Sequence, residues 1–292
     1  RERERTKPLG ISKKLIYGIG ELPYGILNSV IGTFLMLYYV QIIGLSASSV
    51  GLLIGLALLL DALTDPILAE FSDRFRSRLG RRHAFMYLSS IPLGLSLYCL
   101  MSPPQGLEEP LMLAWIGFFL VSARLCYTVF SIPYEALLPE LGGDYEGRAS
   151  LAAWRRMSAW VVSTIGGGFA MLVIFAGSDA YPQGQLNPDA YPAFALFAGL
   201  SVATSILVTT HFTRDQIPYL LQPQVSSSIT PQMLVNSIAS VIANRNFQRL
   251  MCGVLLFFCV AAVATSFDIF VFTYFWRLSS EDLFVLQVGG MF

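Results

Sequence analysis

The stretch Val50–Phe71, VGLLIGLALLLDALTDPILAEF, decides the fold. It is apolar over a length that crosses a bilayer as one helix, for which about 20 residues suffice. It nevertheless carries Asp61 and Asp65. Four residues apart, the two carboxylates share one helix face, one turn from each other. A charged Asp at the centre of a membrane helix costs roughly 2.5–3.5 kcal/mol on insertion scales. Two on one stripe call for a cation, a proton or a basic partner.

The rest of the chain agrees with a membrane setting. Of 292 residues, 54% are hydrophobic and 13% charged, and mean hydropathy is +0.60. Soluble domains carry about 25% charged residues, so the class is an all-α, polytopic membrane protein. A formal net charge of zero argues against nucleic acid as a partner. The cysteines Cys99, Cys126, Cys252 and Cys259 lie in apolar stretches without a CxxC pair, so neither a disulfide framework nor a zinc site is indicated. The N-terminus, Arg1-Glu2-Arg3-Glu4-Arg5, leads into a span rather than the short apolar region of a signal peptide. No HExxH or GxSxG motif is present, so an enzyme is not expected. A membrane sensor would usually carry a soluble output domain, and none is read.

Spans are expected at 15–41, 47–72, 84–102, 110–139, 150–178, 190–212 and 248–276, with an eighth beginning near Glu281. Lys and Arg collect at the N-terminus, in the loop Arg74–Arg82, at Arg148 and after span six at Arg214, Arg245 and Arg249. The alternate loops near 42–46, 103–109 and 179–189 have neither, which puts the N-terminus in the cytoplasm of a multi-pass cell-membrane protein. The organisation is then a six-helix bundle over 1–213, a cytoplasmic linker over 214–246, and the first helix and part of the next of a second bundle over 247–292. Within the linker, Thr230-Pro231 reads as a helix start, with Met233, Leu234, Ile238, Val241 and Ile242 following at helical spacing. An amphipathic surface helix and an ordinary linker helix fit that pattern equally. The last residues stop inside an apolar segment, so the chain reads as a truncated piece of a protein built from two six-helix halves.

Three stretches now point to a family. They are Asp61-Ala62-Leu63-Thr64-Asp65-Pro66, the loop Ser72-Asp73-Arg74-Phe75-Arg76-Ser77-Arg78-Leu79-Gly80-Arg81-Arg82, and Tyr127-Thr128-Val129-Phe130-Ser131-Ile132-Pro133-Tyr134. In this order and spacing the sequence resembles the major facilitator superfamily, and within it the glycoside–pentoside–hexuronide:cation symporters. The resemblance implies a major facilitator fold of twelve helices, with this chain supplying the N-terminal half and the start of the second. It implies a cation-coupled secondary symporter for a glycoside or related sugar, with Na⁺ or H⁺ as the coupling ion, no other cofactor, and a monomer in the bilayer. Relatives that carry lysolipids or other amphiphiles share the D-A-x-x-D-P pattern, so an amphiphile or organic anion is the alternative cargo.

The same resemblance implies site residues. Asp61 and Asp65 would bind the coupling cation (Na⁺ if sodium-coupled), with Thr64 and Thr128 as co-ligands. Thr64 stands where the family pattern has Asn, which moves the balance from sodium toward a proton. Ser131 stands where the pattern has a sugar-binding Asp, and the Asp of the first helix also has no match. Arg156 matches a family Arg. From the residues themselves, Arg124 and Glu135 lie eleven positions apart on roughly one face of span four. Arg124 either meets an anionic substrate group or neutralises Asp61 or Asp65. Tyr24, Asn28, Tyr127, Ser131, Glu135 and Arg156 complete the expected cavity. Asp73, Arg74, Gly80, Arg81 and Arg82 are expected to gate the cytoplasmic side, as such loops do in major facilitators. Gly166-Gly167-Gly168 is expected to permit close helix approach.

Overall fold

The computed structural model describes residues 9–219, apart from 76, 78 and 81, and residues 243–289. Among them every regular element is helical. The helices are α1 (Ile11–Ile42), α2 (Ala47–Arg74), α3 (His83–Met101), α4 (Glu109–Gly142), α5 (Tyr145–Ile174), α6 (Tyr191–Thr213), α7 (Arg245–Phe275) and α8 (Ser280–Gly289). Seven of the described helices are long and apolar enough to cross a membrane, in register with the expected spans. α1 starts before its expected residue 15 because Lys13 and Lys14 fold back onto the bundle. Lys13 Nζ pairs with Asp215 at 2.7 Å, and Lys14 Nζ donates to Ser150 Oγ at 2.7 Å.

Local chemistry sets the helix ends. Asp144 accepts from the backbone N–H of Gly147 and caps α5; Asn244 accepts from Asn246 and Phe247 and caps α7. α1 is interrupted at Gly20-Glu21, where the ring of Pro23 forbids the regular hydrogen bond to the preceding turn. Beyond α6 the chain continues as a short 3₁₀ turn, Arg214–Tyr219. The linker helix expected over 230–242 lies outside the described residues.

Packing follows small residues and rings. α3 meets α6, α4 meets both α2 and α3, and α1 lies against α5 and α6. At the α3–α6 crossing Gly94 and Gly199 face each other, and a side chain on either would strike the other's carbonyl oxygen. This is how membrane helices approach closely without a hydrophobic driving force. At the end opposite the arginine-rich loop, Phe34 stacks on Phe175 at 5.2 Å and Tyr38 on Tyr191 at 4.3 Å. Beside this aromatic core, α7 and α8 touch the first six helices. Gln183 Nε2 donates to the Thr273 carbonyl at 2.8 Å, Gln185 Nε2 to Thr273 Oγ1 at 3.2 Å, and the Tyr274 hydroxyl to Gln41 Oε1 at 3.2 Å. The Phe284 ring of α8 packs against Gly168 of α5, with no room for a Cβ between them.

α2 and α7 carry bare leucines and phenylalanines such as Leu59, Leu63, Leu255 and Phe257. Helices apolar all round and so little covered require lipid or further transmembrane helices as solvent.

Candidate functional site

Asp61 sits mid-way along α2, facing α4, with its side chain 17% exposed. Thr128 of α4 donates to Asp61 Oδ1 at 2.8 Å, so residues 67 positions apart meet across the helix pair. Thr64 donates to the Asp61 carbonyl at 3.1 Å. A hydroxyl that donates once keeps lone pairs for a cation. Asp65 is more exposed, one turn along, within electrostatic reach of Asp61, Thr128 and Arg124. The two carboxylates and the Thr128 hydroxyl are hard oxygen donors, the kind a small hard cation takes, whereas the Thr64 hydroxyl is turned to its own helix backbone. Arg124 Nη1 also approaches Asp61, from Oδ2, at 3.6 Å. Of its two expected positions, facing substrate or facing the acids, the structure has the second.

Thr128→Val keeps the shape and removes the donated bond. A hydrogen bond to a charged group contributes about 1.5–3 kcal/mol, so the full-length variant is expected to unfold in detergent at a lower temperature than wild type. Thermal unfolding of the two proteins checks this; an unchanged midpoint would mean that the hydroxyl does not hold Asp61.

A second polar cluster lies between α1, α4 and α5, nearer the arginine-rich end. Glu21 is buried beside the α1 interruption. Arg155 Nε meets its Oε2 at 2.8 Å, and Arg156 Nη1 lies 3.5 Å from its Oε1. Arg155 also reaches Glu135 at 3.7 Å and lies over the Tyr134 ring at 5.6 Å. Tyr17 and Tyr134 stack at 4.6 Å, and each hydroxyl donates to the other's backbone carbonyl. Around this frame the expected cavity residues divide. Arg156, Glu135, Tyr24 and Asn28 are exposed, whereas Tyr127 and Ser131 are half-buried. The Tyr24 and Tyr127 rings come to 6.3 Å. Sequence reasoning missed Glu21 and Arg155. The available signal was a pair of charges inside apolar spans, but Arg155 sits between Trp154 and Arg156 and reads as an interface residue.

The loop expected to gate is described in part. Gly80 has φ +84°, a left-handed conformation that suits glycine, and Ile217 packs against it. Arg82 pairs with Glu140 at the end of α4 at 2.7 Å, both side chains nearly covered. His83 Nε2 and Thr213 Oγ1 are 3.1 Å apart. Arg81 and the side chains of Asp73 and Arg74 lie outside the described residues.

Comparison with known proteins fits this geometry. The family model described as MFS/sugar transport protein matches residues 16–291. The inner membrane symporter YicJ of Escherichia coli is 26% identical over 287 residues, covering 96% of this chain and 58% of its own. The putative glycoside/cation symporter YagG of Escherichia coli is 26% identical over 247 residues, covering 84% and 50%. The sodium-dependent lysophosphatidylcholine symporter 1 of Mus musculus is 27% identical over 170 residues, covering 56% and 32%. The chain thus spans about half the length of the two bacterial relatives. With a family match running over nearly all of its helices, the chain belongs to the MFS/sugar transport family of the major facilitator superfamily, among the glycoside–pentoside–hexuronide:cation symporters.

Proposed function

We propose that the whole protein is a cation-coupled secondary symporter that works by alternating access and carries a glycoside or related sugar. The observation that carries this reading is the Asp61 carboxylate, held mid-span by Thr128 with Asp65 one turn away. Bare and charged, such a pair resists crossing the closed, dry state; neutralised, it does not. The names of the bacterial relatives, an inner membrane symporter and a putative glycoside/cation symporter, support the same class. Substrate would meet the exposed Arg156, Glu135, Tyr24 and Asn28, with Glu21 and Arg155 fixing the wall behind them. The arginine-rich end is taken as cytoplasmic, from the distribution of Lys and Arg. The contacts of Thr273, Tyr274 and Phe284 at the opposite end then correspond to an inward-facing form.

A second reading is an amphiphile with a charged headgroup. It is favoured by the alternation of Arg156 and Glu135 at the exposed face of the cluster and by the likeness to a lysophosphatidylcholine symporter. Uptake by the full-length protein in proteoliposomes, screened over sugars and lysolipids under imposed Na⁺ or H⁺ gradients, decides between the two. Uptake indifferent to both gradients would overturn symport.

The outer contact offers a separate check. Gly168→Leu is expected to push α8 off α5 at a cost of about 1–3 kcal/mol, typical of overpacking. A cysteine introduced at Thr273 in the full-length protein should then label faster with an impermeant thiol reagent added outside. Unchanged labelling would mean that this contact does not close the outer end.

A further inference from the structure

Arg124 is the one basic side chain placed against the acids of α2 by a described ion pair, and its geometry differs from that of the bundle's other buried pairs. Arg82–Glu140 and Arg155–Glu21 close to 2.7 and 2.8 Å, the length of a tight charge-assisted bond. Arg124 stops 3.6 Å from Asp61 Oδ2, while the opposite oxygen is held at 2.8 Å by Thr128. Its buried Nε–H has no hydrogen-bond partner among the described residues. The guanidinium therefore neutralises Asp61 without locking it. A static structural pair would bring both partners to full hydrogen-bond length, because only good geometry offsets the desolvation of two charges.

We propose that Arg124 is a tethered counter-ion that competes with the coupling cation for Asp61. In the cation-free carrier the guanidinium neutralises the carboxylate; a cation binds only as Arg124 draws back from the pair of acids. Two consequences follow. Cation affinity is set low by a residue that is not itself a ligand. The empty carrier also has its Asp61 charge covered, so its reorientation meets a smaller electrostatic barrier than a bare pair of acids would impose. This inference rests on the cation-coupled reading and assigns Arg124 to cation affinity rather than to the substrate.

The test is equilibrium binding of radioactive sodium to the purified full-length protein, alongside the Na⁺-induced thermal shift of the same samples. Arg124→Gln is expected to bind Na⁺ about tenfold tighter or more than wild type, the low end of what close charge pairs contribute. Its melting temperature should also respond more steeply to Na⁺. Arg124→Lys keeps the charge and should stay within about threefold of wild type. Adding Asp61→Asn to Arg124→Gln should abolish the gain. Recovery of Arg124→Gln only in Na⁺-containing buffer would equally support the competition. Equal Na⁺ affinity in wild type and Arg124→Gln, binding in neither, or an Arg124→Lys that behaves as Arg124→Gln, would overturn it. If Asp61→Asn alone abolishes Na⁺ binding while Arg124→Gln changes nothing, symport stands and the tethered counter-ion falls.

Discussion

Asp61→Asn is expected to abolish cation-driven accumulation of substrate in proteoliposomes. The amide keeps the volume and can still accept from Thr128, so the helix contact survives. What is lost is the formal charge that attracts a cation and that faces Arg124. Truncating one side of a buried charge contact costs about 2–5 kcal/mol, which corresponds to a cation affinity roughly 30-fold or more weaker. Exchange of substrate across the membrane without a gradient should persist, because it does not require the ion to be carried downhill. Accumulation at the wild-type level in Asp61→Asn would refute the role given to this carboxylate.

The second large effect is one of stability. Arg155→Ala removes the main partner of Glu21, a buried acid, and also the charge beside Tyr134. Breaking a buried pair from one side costs about 3–5 kcal/mol, because the remaining charge is left uncompensated. Replacing both members with neutral residues is milder. The full-length Arg155→Ala protein in detergent should therefore unfold at a clearly lower temperature than wild type, with Glu21→Gln/Arg155→Gln in between. Equal losses in the single and double variants would mean that packing, not charge, sets the effect.

Much of this is legible in the sequence. The apolar run Val50–Phe71 became α2 almost residue for residue, extended by a turn at either end where polar side chains still tolerate a helix. The D-A-x-x-D-P stretch and Tyr127-Thr128 were readable as motifs, and the meeting of Asp61 with Thr128 needed only that α2 and α4 be neighbours. Arg124 was readable as a charge in want of a partner; which partner it takes is a matter of helix rotation. The Glu21–Arg155 pair was hidden for the same reason. Adjacent residues on a helix point about 100° apart, so Arg155 turns into the bundle while Arg156 stays exposed. Glu140 and Arg82 are 58 positions apart in the numbering and belong to stretches that each look like an ordinary charged helix end.

The wide turns at Ser29–Phe34, Leu37–Ile42, Ala170–Ile174 and Val271–Phe275 extend this point to evolution and engineering. Each π-helical stretch takes up about one residue more than an α-helical path would. The faces of α1, α5 and α7 beyond it are thus rotated by about 100° relative to a helical wheel drawn from the inner end. All four stretches lie toward the end where α7 and α8 meet the first six helices. Deleting a single residue within one of them would return that stretch to α-helical winding and swing Gln41 or Tyr274 away from its partner without altering any side chain. Insertions and deletions in these short segments therefore act as rotations of one helix end, a kind of variation that a residue-by-residue comparison of homologous sequences scores as a gap and does not recognise as a change of face.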